Sequence, residues 1–368
     1  MTGGPTFARF MNSLRSSKPV AIWIMVGVGM LIVQVLLGGI TRLTGSGLSI
    51  TQWDVVTGAL PPLNHAQWLV EFHKYQGTPQ YRLLHSDFTL GDFQFIFFWE
   101  WFHRLWARTI GLVFLIPFVI FLVQRRFRQD MIIPLVVLFL LGAMQGLVGW
   151  IMVASGLTGD AIYVNPVKLA LHFMFAMVLI GYAFWFGLQL LVPKRERFRD
   201  PGLTRGALGL LVLLIVQLTF GALMAGNKAA TAAPTWPSIN GAAWPAGIWD
   251  PTLGLGNLAG NKITIHFIHR GLAYLTLIGM CLFTWTAAAR VRAHAARGRL
   301  FSQTYGLPLT LTLVQVLLGI GAVLFSVHIA LGRWGIFEWT AQLHQLVGMF
   351  LALSVLYIFY IVSGGGKS

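Results

Sequence analysis

Apolar residues run through this chain in long uninterrupted stretches, separated by segments that hold most of the polar and charged side chains. A helix needs about 20 residues to cross the hydrocarbon core of a bilayer, and eight stretches reach that length. None shows the alternation of apolar and polar positions typical of a membrane barrel, so the pattern predicts an all-α integral membrane protein with eight transmembrane helices. The stretches lie near residues 20–40, 96–123, 131–153, 166–192, 206–226, 262–289, 305–329 and 339–362.

Composition and charge support this prediction and add an orientation. Hydrophobic residues make up 56% of the chain, charged residues 10%, and the mean hydropathy is +0.72, so most of the surface must face lipid. Sixteen Lys and Arg residues lie in the N-terminal segment, in the loops after the second, fourth and sixth stretches, and in the tail. The loops on the other side are longer but hold only seven. Cytoplasmic loops retain positive charge, so we expect both termini in the cytoplasm and no nucleic-acid partner.

The N-terminal segment and the single cysteine suggest where the protein resides. The first apolar stretch has no obvious cleavage site, and the residues before it do not form a clear transit peptide. We therefore expect a multi-pass protein of the bacterial cytoplasmic (inner) membrane. Cys281 falls within the sixth stretch, which excludes an intramolecular disulfide and a cysteine metal site, and we expect it to be a small buried side chain.

The two halves of the chain repeat each other, which predicts two pseudo-twofold-related four-helix bundles. The expected divisions are a cytoplasmic segment (1–19), an N-terminal half (20–192), a cytoplasmic linker (193–205), a C-terminal half (206–362) and a flexible tail (363–368). The repeated elements are Gln34-x-x-x-Gly38 with Gln217-x-x-x-Gly221, Trp53 with Trp236, Gly58 with Gly241, Pro62 with Pro245, His103-Arg104 with His269-Arg270, Gln145-x-x-x-Gly149 with Gln315-x-x-x-Gly319, and Leu171-His172 with Leu343-His344.

Four histidines, His103, His172, His269 and His344, lie near the starts of the even-numbered stretches, at one depth toward the outer side. A single histidine in an apolar helix is more often a packed or hydrogen-bonded residue. Four at one level and in repeat-related positions favour metal ligation. Two imidazoles per half fit an axially ligated heme, whereas zinc or di-iron sites would require further ligands or carboxylates in both halves.

Charged residues near these histidines divide into two groups. Arg42, Arg104, Lys262 and Arg270 are placed to bind heme propionates, and their alternative role is to reach the lipid interface. Glu100 lies one helical turn before His103, while His266 holds the equivalent place before His269. Glu100 is therefore either an acid/base or charge-stabilising residue in a catalytic N-terminal half, or a salt-bridge partner of a nearby arginine.

The Gln-x-x-x-Gly elements occur four times, twice in each half. We interpret them as positions where helices pack closely, since glycine permits close approach and glutamine can hydrogen-bond across the interface. Contact with a cofactor is the alternative. The tryptophans of the two long outer loops are best interpreted as interfacial anchors.

Several motifs together resemble the heme A synthase family, in the form found in alphaproteobacteria and mitochondria. They are Gly38-Gly-Ile-Thr-Arg-Leu-Thr-Gly-Ser-Gly-Leu-Ser49, Glu100-Trp-Phe-His-Arg104, Leu171-His172, His266-Phe-Ile-His-Arg270 and Gln342-Leu-His344, within residues 20–362. The resemblance implies oxidation of a ring methyl of heme O to the formyl group of heme A. It further implies that His103 and His172 bind the substrate heme, that His269 and His344 bind heme b, and that Glu100 is the catalytic carboxylate.

The resemblance also implies heme O synthase and oxidase assembly factors as partners, and it is compatible with a homo-oligomer. Some family members carry a cysteine pair in outer loops, which this chain lacks, so no redox role for such a pair transfers. The residues fit both a metal-bound oxidant and electron withdrawal followed by water attack. The alternative function is a di-heme electron carrier of the cytochrome b type, and a transporter is a weaker one.

Overall fold

The structure, a computed structural model, describes residues 7–52, 57–293, 298–329 and 334–364, so Trp53 of the repeat lies outside it. The described residues are helical apart from loops, short turns and isolated bridges, which confirms the all-α prediction. The α-helices are α1 (Phe7–Leu43), α2 (His65–Gln76), α3 (Pro79–Leu84), α4 (Leu90–Val123), α5 (Gln129–Ala154), α6 (Pro166–Leu191), α7 (Pro201–Gly226), α8 (Asn257–Gly260), α9 (Lys262–Ala293), α10 (Arg299–Thr304), α11 (Leu307–Leu324) and α12 (Ile336–Val362).

Eight segments of the described chain are long and apolar enough to cross a membrane, as predicted. They correspond to α1, α4, α5, α6, α7, α9, the run from α10 to His328, and α12. The orientation of the termini and the twofold relation stay predictions. One expectation is wrong: Cys281 is exposed on the outside of α9 rather than buried, so it faces the lipid side of the bundle.

Capping residues explain where the spans begin. At the start of α4, Thr89 and Asp92 form a reciprocal capping box, which begins the helix at Leu90, earlier than the apolar pattern alone predicts. Asn165 before Pro166 and Asp200 before Pro201 accept main-chain N–H bonds at the starts of α6 and α7. The starts of these three spans are therefore fixed by polar residues just outside the apolar stretch.

The same helix pairs pack in both halves of the chain. In the N-terminal half α1 packs against α4 and α6, and α5 against α6; in the C-terminal half α7 packs against α9 and α12, and α11 against α12. The halves join through α6 with α7, α1 with α12, and α6 with α12. Across the α1–α12 interface, the side-chain amides of Gln342 and Gln345 donate to the main-chain carbonyls of Leu36 and Val35 at 3.3 and 3.1 Å.

The halves differ at one pair of outer helices. In the C-terminal half α9 packs against α11. The equivalent helices of the N-terminal half, α4 and α5, have few or no residues whose backbones lie close together. A ring contact between Phe114 and Phe139, with centroids 6.3 Å apart, links them. The N-terminal bundle is therefore less closed on its lipid side than the C-terminal one.

Candidate functional site

The C-terminal histidine pair lies between an outer helix and a central one. His269 on α9 and His344 on α12 have ring centroids 6.3 Å apart, with ring planes at 80°. An imidazole nitrogen binds a metal at about 2 Å and lies roughly 1 Å from its ring centre, so two axial ligands of one iron place their centroids about 6 Å apart. The observed separation therefore fits two histidines on opposite sides of one iron.

The N-terminal pair has the equivalent placement. His103 lies on α4 and His172 on α6, and His172 is close enough to His103 to interact with it electrostatically. In the part of the chain that the structure describes, no group of three or more His, Cys, Asp and Glu side chains lies within reach of a single metal ion. Paired imidazoles, rather than a clustered zinc or di-iron site, are therefore the metal-binding arrangement that these residues offer.

All four Gln-x-x-x-Gly elements lie at close helix contacts, as predicted, and the groups that they contact are these histidines. Each glycine faces an imidazole edge across a helix pair. A β-carbon added to the glycine would lie 3.2 Å from Cε1 of His103 at Gly38, 2.8 Å from Cε1 of His172 at Gly149, 3.2 Å from Cε1 of His269 at Gly221 and 2.9 Å from Cε1 of His344 at Gly319. The glycines thus provide the space that the four rings occupy.

Glu100 is buried and hydrogen-bonded. Its Oε2 accepts from the Ser49 hydroxyl at 2.7 Å and from the main-chain N–H of Ile50 at 2.9 Å, while Oε1 accepts from Arg104 at 2.6 Å. The salt-bridge alternative is therefore present in the structure. A carboxylate offers about four acceptor positions, so these three bonds leave about one without a partner among the described residues.

Arg104 and Arg270 attach the long loops that follow α1 and α7 to α4 and α9, the helices that carry His103 and His269. Arg104 donates to the main-chain carbonyls of Ile50 and Gln52, both at 3.3 Å. Arg270 donates to those of Thr235 at 2.5 Å and Ser238 at 3.1 Å. Each arginine directly follows a histidine in the sequence, so the position of the loop is coupled to the position of that histidine. Propionate binding by either arginine stays a prediction.

A cationic cluster formed by Arg42, Lys228 and Lys262 lies near the junction of the two halves, and Lys228 was not predicted. Its amino group lies 3.3 Å from the centre of the Tyr163 ring, although part of the side chain reaches solvent. Burial of that amino group, together with the charges of Arg42 and Lys262, lowers the pKa of Lys228 to about 8. Three cations gathered in this way favour a bound anion.

Lys228 and the residue at the equivalent repeat position share a left-handed backbone. Lys228 has φ +50° and Gly45, at the equivalent repeat position, has φ +70°. Left-handed backbone costs a non-glycine residue about 1–2 kcal/mol. Lys228 is therefore held in a backbone conformation that a glycine would adopt without that cost.

Two further histidines, His85 and His266, are buried. His85 stacks on Phe88 with centroids 4.0 Å apart, and its Nδ1 lies 2.6 Å from the Tyr75 hydroxyl, so it has a structural role. Burial lowers the pKa of His85, which favours the neutral ring at neutral pH. His266, in the place of Glu100, is fully buried, and neither ring nitrogen has a hydrogen-bond partner among the described residues.

Comparisons with known proteins identify the family and several relatives. Residues 21–356 match the family model described as cytochrome oxidase assembly protein. The chain is 40% identical over 345 residues to the heme A synthase of Rhodospirillum centenum, covering 90% of each chain. It is 40% identical over 358 residues to that of Rhodopseudomonas palustris, covering 96% of this chain and 94% of the relative. It is 35% identical over 353 residues to that of Flavobacterium johnsoniae, covering 95% and 99%.

Proposed function

Because the chain belongs to the cytochrome oxidase assembly family whose members include heme A synthases, we propose that it is a heme A synthase of the bacterial inner membrane. It is an oxidoreductase that converts heme O to heme A by oxidising a ring methyl to a formyl group. The observation that supports the heme assignment is the 6.3 Å separation of the His269 and His344 rings, a distance at which the two imidazoles could hold one iron between them.

The halves have different roles in this proposal. His103 and His172 hold the substrate heme, and His269 and His344 hold a resident heme b that supplies electron transfer when bound. Two differences between the halves support the assignment. Only the N-terminal half has a carboxylate, Glu100, one turn from its outer histidine, and only there do the outer helices α4 and α5 fail to pack closely. A substrate that must enter and leave requires the less closed bundle.

Glu100 acts beside the substrate rather than on the iron. Removing hydrogen from a methyl carbon releases protons and develops positive charge, and a fixed carboxylate stabilises that charge or accepts a proton. Ser49, Ile50 and Arg104 fix the carboxylate in place. Since Ser49 and Ile50 belong to the outer loop, closing that loop over the site positions the catalytic group and excludes water from it.

The cationic residues hold the propionate edge of each heme. Arg42 and Lys262, joined by Lys228, form an anion-binding cluster near the junction of the halves. Arg104 and Arg270 stand beside the histidines and hold the loops that cover them. In the predicted orientation both hemes lie in the outer half of the bilayer, with their propionates toward these cations.

Expression in a bacterium that makes heme O but no heme A tests the proposal. Heme A should appear among the hemes extracted from the membranes, and the His103→Ala and His172→Ala variants, at equal protein levels, should produce none. Unchanged heme O in membranes that contain the wild-type protein would overturn the proposal. A heme b spectrum without any heme A would then favour the di-heme electron carrier.

A further inference from the structure

Arg104 and Arg270 are equivalent residues of the two halves, but only Arg104 has a carboxylate beside it. Glu100 Oε1 lies 2.6 Å from Arg104, whereas His266 holds the equivalent place one turn before Arg270. Resting on the function proposed above, we propose that the ligand supplies this carboxylate in the C-terminal half: His266 and Arg270 bind one propionate of heme b. His266 is thereby a heme-binding residue in addition to the two iron ligands of that half.

The surroundings of the two arginines correspond closely. Both donate to main-chain carbonyls of the long loop in their own half, at repeat-equivalent positions. These carbonyls are those of Ile50 and Gln52 for Arg104, and those of Ala233 and Thr235 for Arg270. Ser49, whose hydroxyl donates to Glu100 at 2.7 Å, corresponds to Ala232, which has no hydroxyl. The C-terminal half therefore has the arginine and its loop, but it lacks both the carboxylate and the hydroxyl that holds it.

Arg270 has no counter-charge among the described residues. Its hydrogen-bond partners are neutral main-chain carbonyls, and no described carboxylate lies within salt-bridge distance of it. The C-terminal half contains only two acidic residues, Asp250 and Glu338, and both bind locally. Asp250 accepts from the Thr252 hydroxyl at 2.7 Å, and Glu338 accepts from the main-chain N–H of Gly335 at 2.8 Å. A partly buried cation without a counter-ion favours an anionic ligand.

His266 is a buried polar side chain without a partner. It is fully buried, and neither of its ring nitrogens has a hydrogen-bond partner among the described residues. Such a state is costly for a polar group, and a neutral imidazole has one N–H to donate. His266 is close enough to His269 and Arg270 to interact with both electrostatically. A carboxylate bound beside Arg270 would accept the N–H of His266 and balance the charge of the arginine.

A propionate of heme b is the carboxylate that suits this place. In the proposed function His269 holds the iron, and His266 lies three residues earlier, about 4.5 Å nearer the predicted outer end of α9. The two propionates are the only charged substituents of the heme b ring, and both lie on one edge of it. That edge faces the outer side in the proposed orientation, which brings it toward His266 and Arg270.

Glu100 excludes a propionate from the equivalent place in the N-terminal half. Two carboxylates side by side repel each other, and Glu100 is fixed there by Arg104 and Ser49. The substrate heme therefore presents an uncharged edge of its ring to Glu100, as the oxidation of a ring methyl requires.

Heme b dimethyl ester, in which both propionates are methylated, tests the propionate site directly. The full-length protein carries His103→Ala and His172→Ala, so that only the C-terminal pair can bind, and is purified from heme-depleted cells. It is titrated with heme b or with the ester, and binding is followed by heme absorbance. Hydrogen bonds to a charged group should make heme b bind about 10–100-fold more tightly than the ester. In His266→Leu this preference should fall about 10-fold.

Two further variants at the same position make the test specific. His266→Glu reproduces the arrangement of Glu100 with Arg104, so its carboxylate should pair with Arg270 and repel a propionate. The preference should then reverse, with the ester bound more tightly than heme b. His266→Gln keeps an N–H donor and should keep the preference of the parent protein. Each variant is its own control for folding, because the ester measures binding without the propionate charges.

The outcomes distinguish this inference from the function on which it rests. Parent protein that binds neither heme b nor the ester would overturn the heme b assignment itself. Parent protein that binds both with equal affinity would overturn the propionate site alone. An unchanged preference in His266→Leu and His266→Glu would remove His266 from the site. A loss in His266→Gln as large as in His266→Leu would contradict its role as a hydrogen-bond donor.

Discussion

Replacing Glu100 with glutamine changes the candidate catalytic group and leaves the four histidines intact. The substitution keeps the shape, but it turns one acceptor into a donor and removes the charge that faces Arg104. A hydrogen bond to a charged group is worth about 1.5–3 kcal/mol, and Arg104 keeps its bonds to the carbonyls of Ile50 and Gln52. We therefore expect a loss of about 2 kcal/mol in stability, which leaves the protein folded.

The effect on activity should be much larger than the effect on stability. Acid/base or charge-stabilising groups contribute about 100- to 10,000-fold to rate, so heme A formation by Glu100→Gln should fall by at least about 100-fold. Chromatography of extracted hemes measures the conversion, and the heme spectrum of the purified variant shows whether both hemes stay bound. Both hemes should be retained, and conversion should be lost.

Two control variants make the result specific. Glu338, at the start of α12, is 3% exposed against 2% for Glu100, so Glu338→Gln neutralises an equally buried carboxylate away from the histidine pairs and should leave conversion unchanged. Ser49→Ala removes one bond to Glu100 while keeping its charge, and should cost only about 1 kcal/mol. Heme A formation at the wild-type rate in Glu100→Gln would refute the catalytic assignment.

Three further predictions concern heme b, Lys228 and Arg270. His269→Ala and His344→Ala should each lose tightly held heme b, and an unchanged heme b spectrum in both would show that the pairing is wrong. Lys228 should react with amine-acylating reagents with a midpoint near pH 8, because its amine is neutral above that pH; a midpoint near 10.5, the ordinary lysine value, would contradict the clustered arrangement. Arg270→Glu should reduce heme b content, since it removes the hydrogen bonds from Arg270 to the loop carbonyls. The same change at exposed Arg82 should leave heme b content unchanged. Equal effects of the two variants would contradict a specific role of Arg270.

The spans and the histidine pairs could be predicted from the sequence because both depend on regularities along one helix. Apolar length gives the eight spans, and equal depth in repeated positions singles out His103, His172, His269 and His344. The salt bridge of Glu100 with Arg104 was also foreseen as an alternative, since residues four apart on a helix are neighbours.

Other features depend on which helices or loops face one another, which periodicity does not encode. Periodicity predicts that the Gln-x-x-x-Gly elements lie at close helix contacts, but it does not show that the groups they contact are histidine rings on neighbouring helices. Lys228 reaches Tyr163 from a loop of the other half, a contact far apart in sequence. Helix α9 packs against α11, whereas α4 does not pack closely against α5. Both halves have similar apolar patterns, so this difference arises from tertiary packing and cannot be read from the pattern.

The heme content of the purified protein tests the central claim most directly. Wild-type protein from cells that supply heme O should contain heme b together with heme O or heme A. The His103→Ala/His172→Ala double variant should keep heme b and lose heme O and heme A, and the His269→Ala/His344→Ala double variant should lose heme b. Wild-type protein that contains heme b alone, or double variants that lose the same hemes, would contradict two functionally distinct histidine pairs in a heme A synthase.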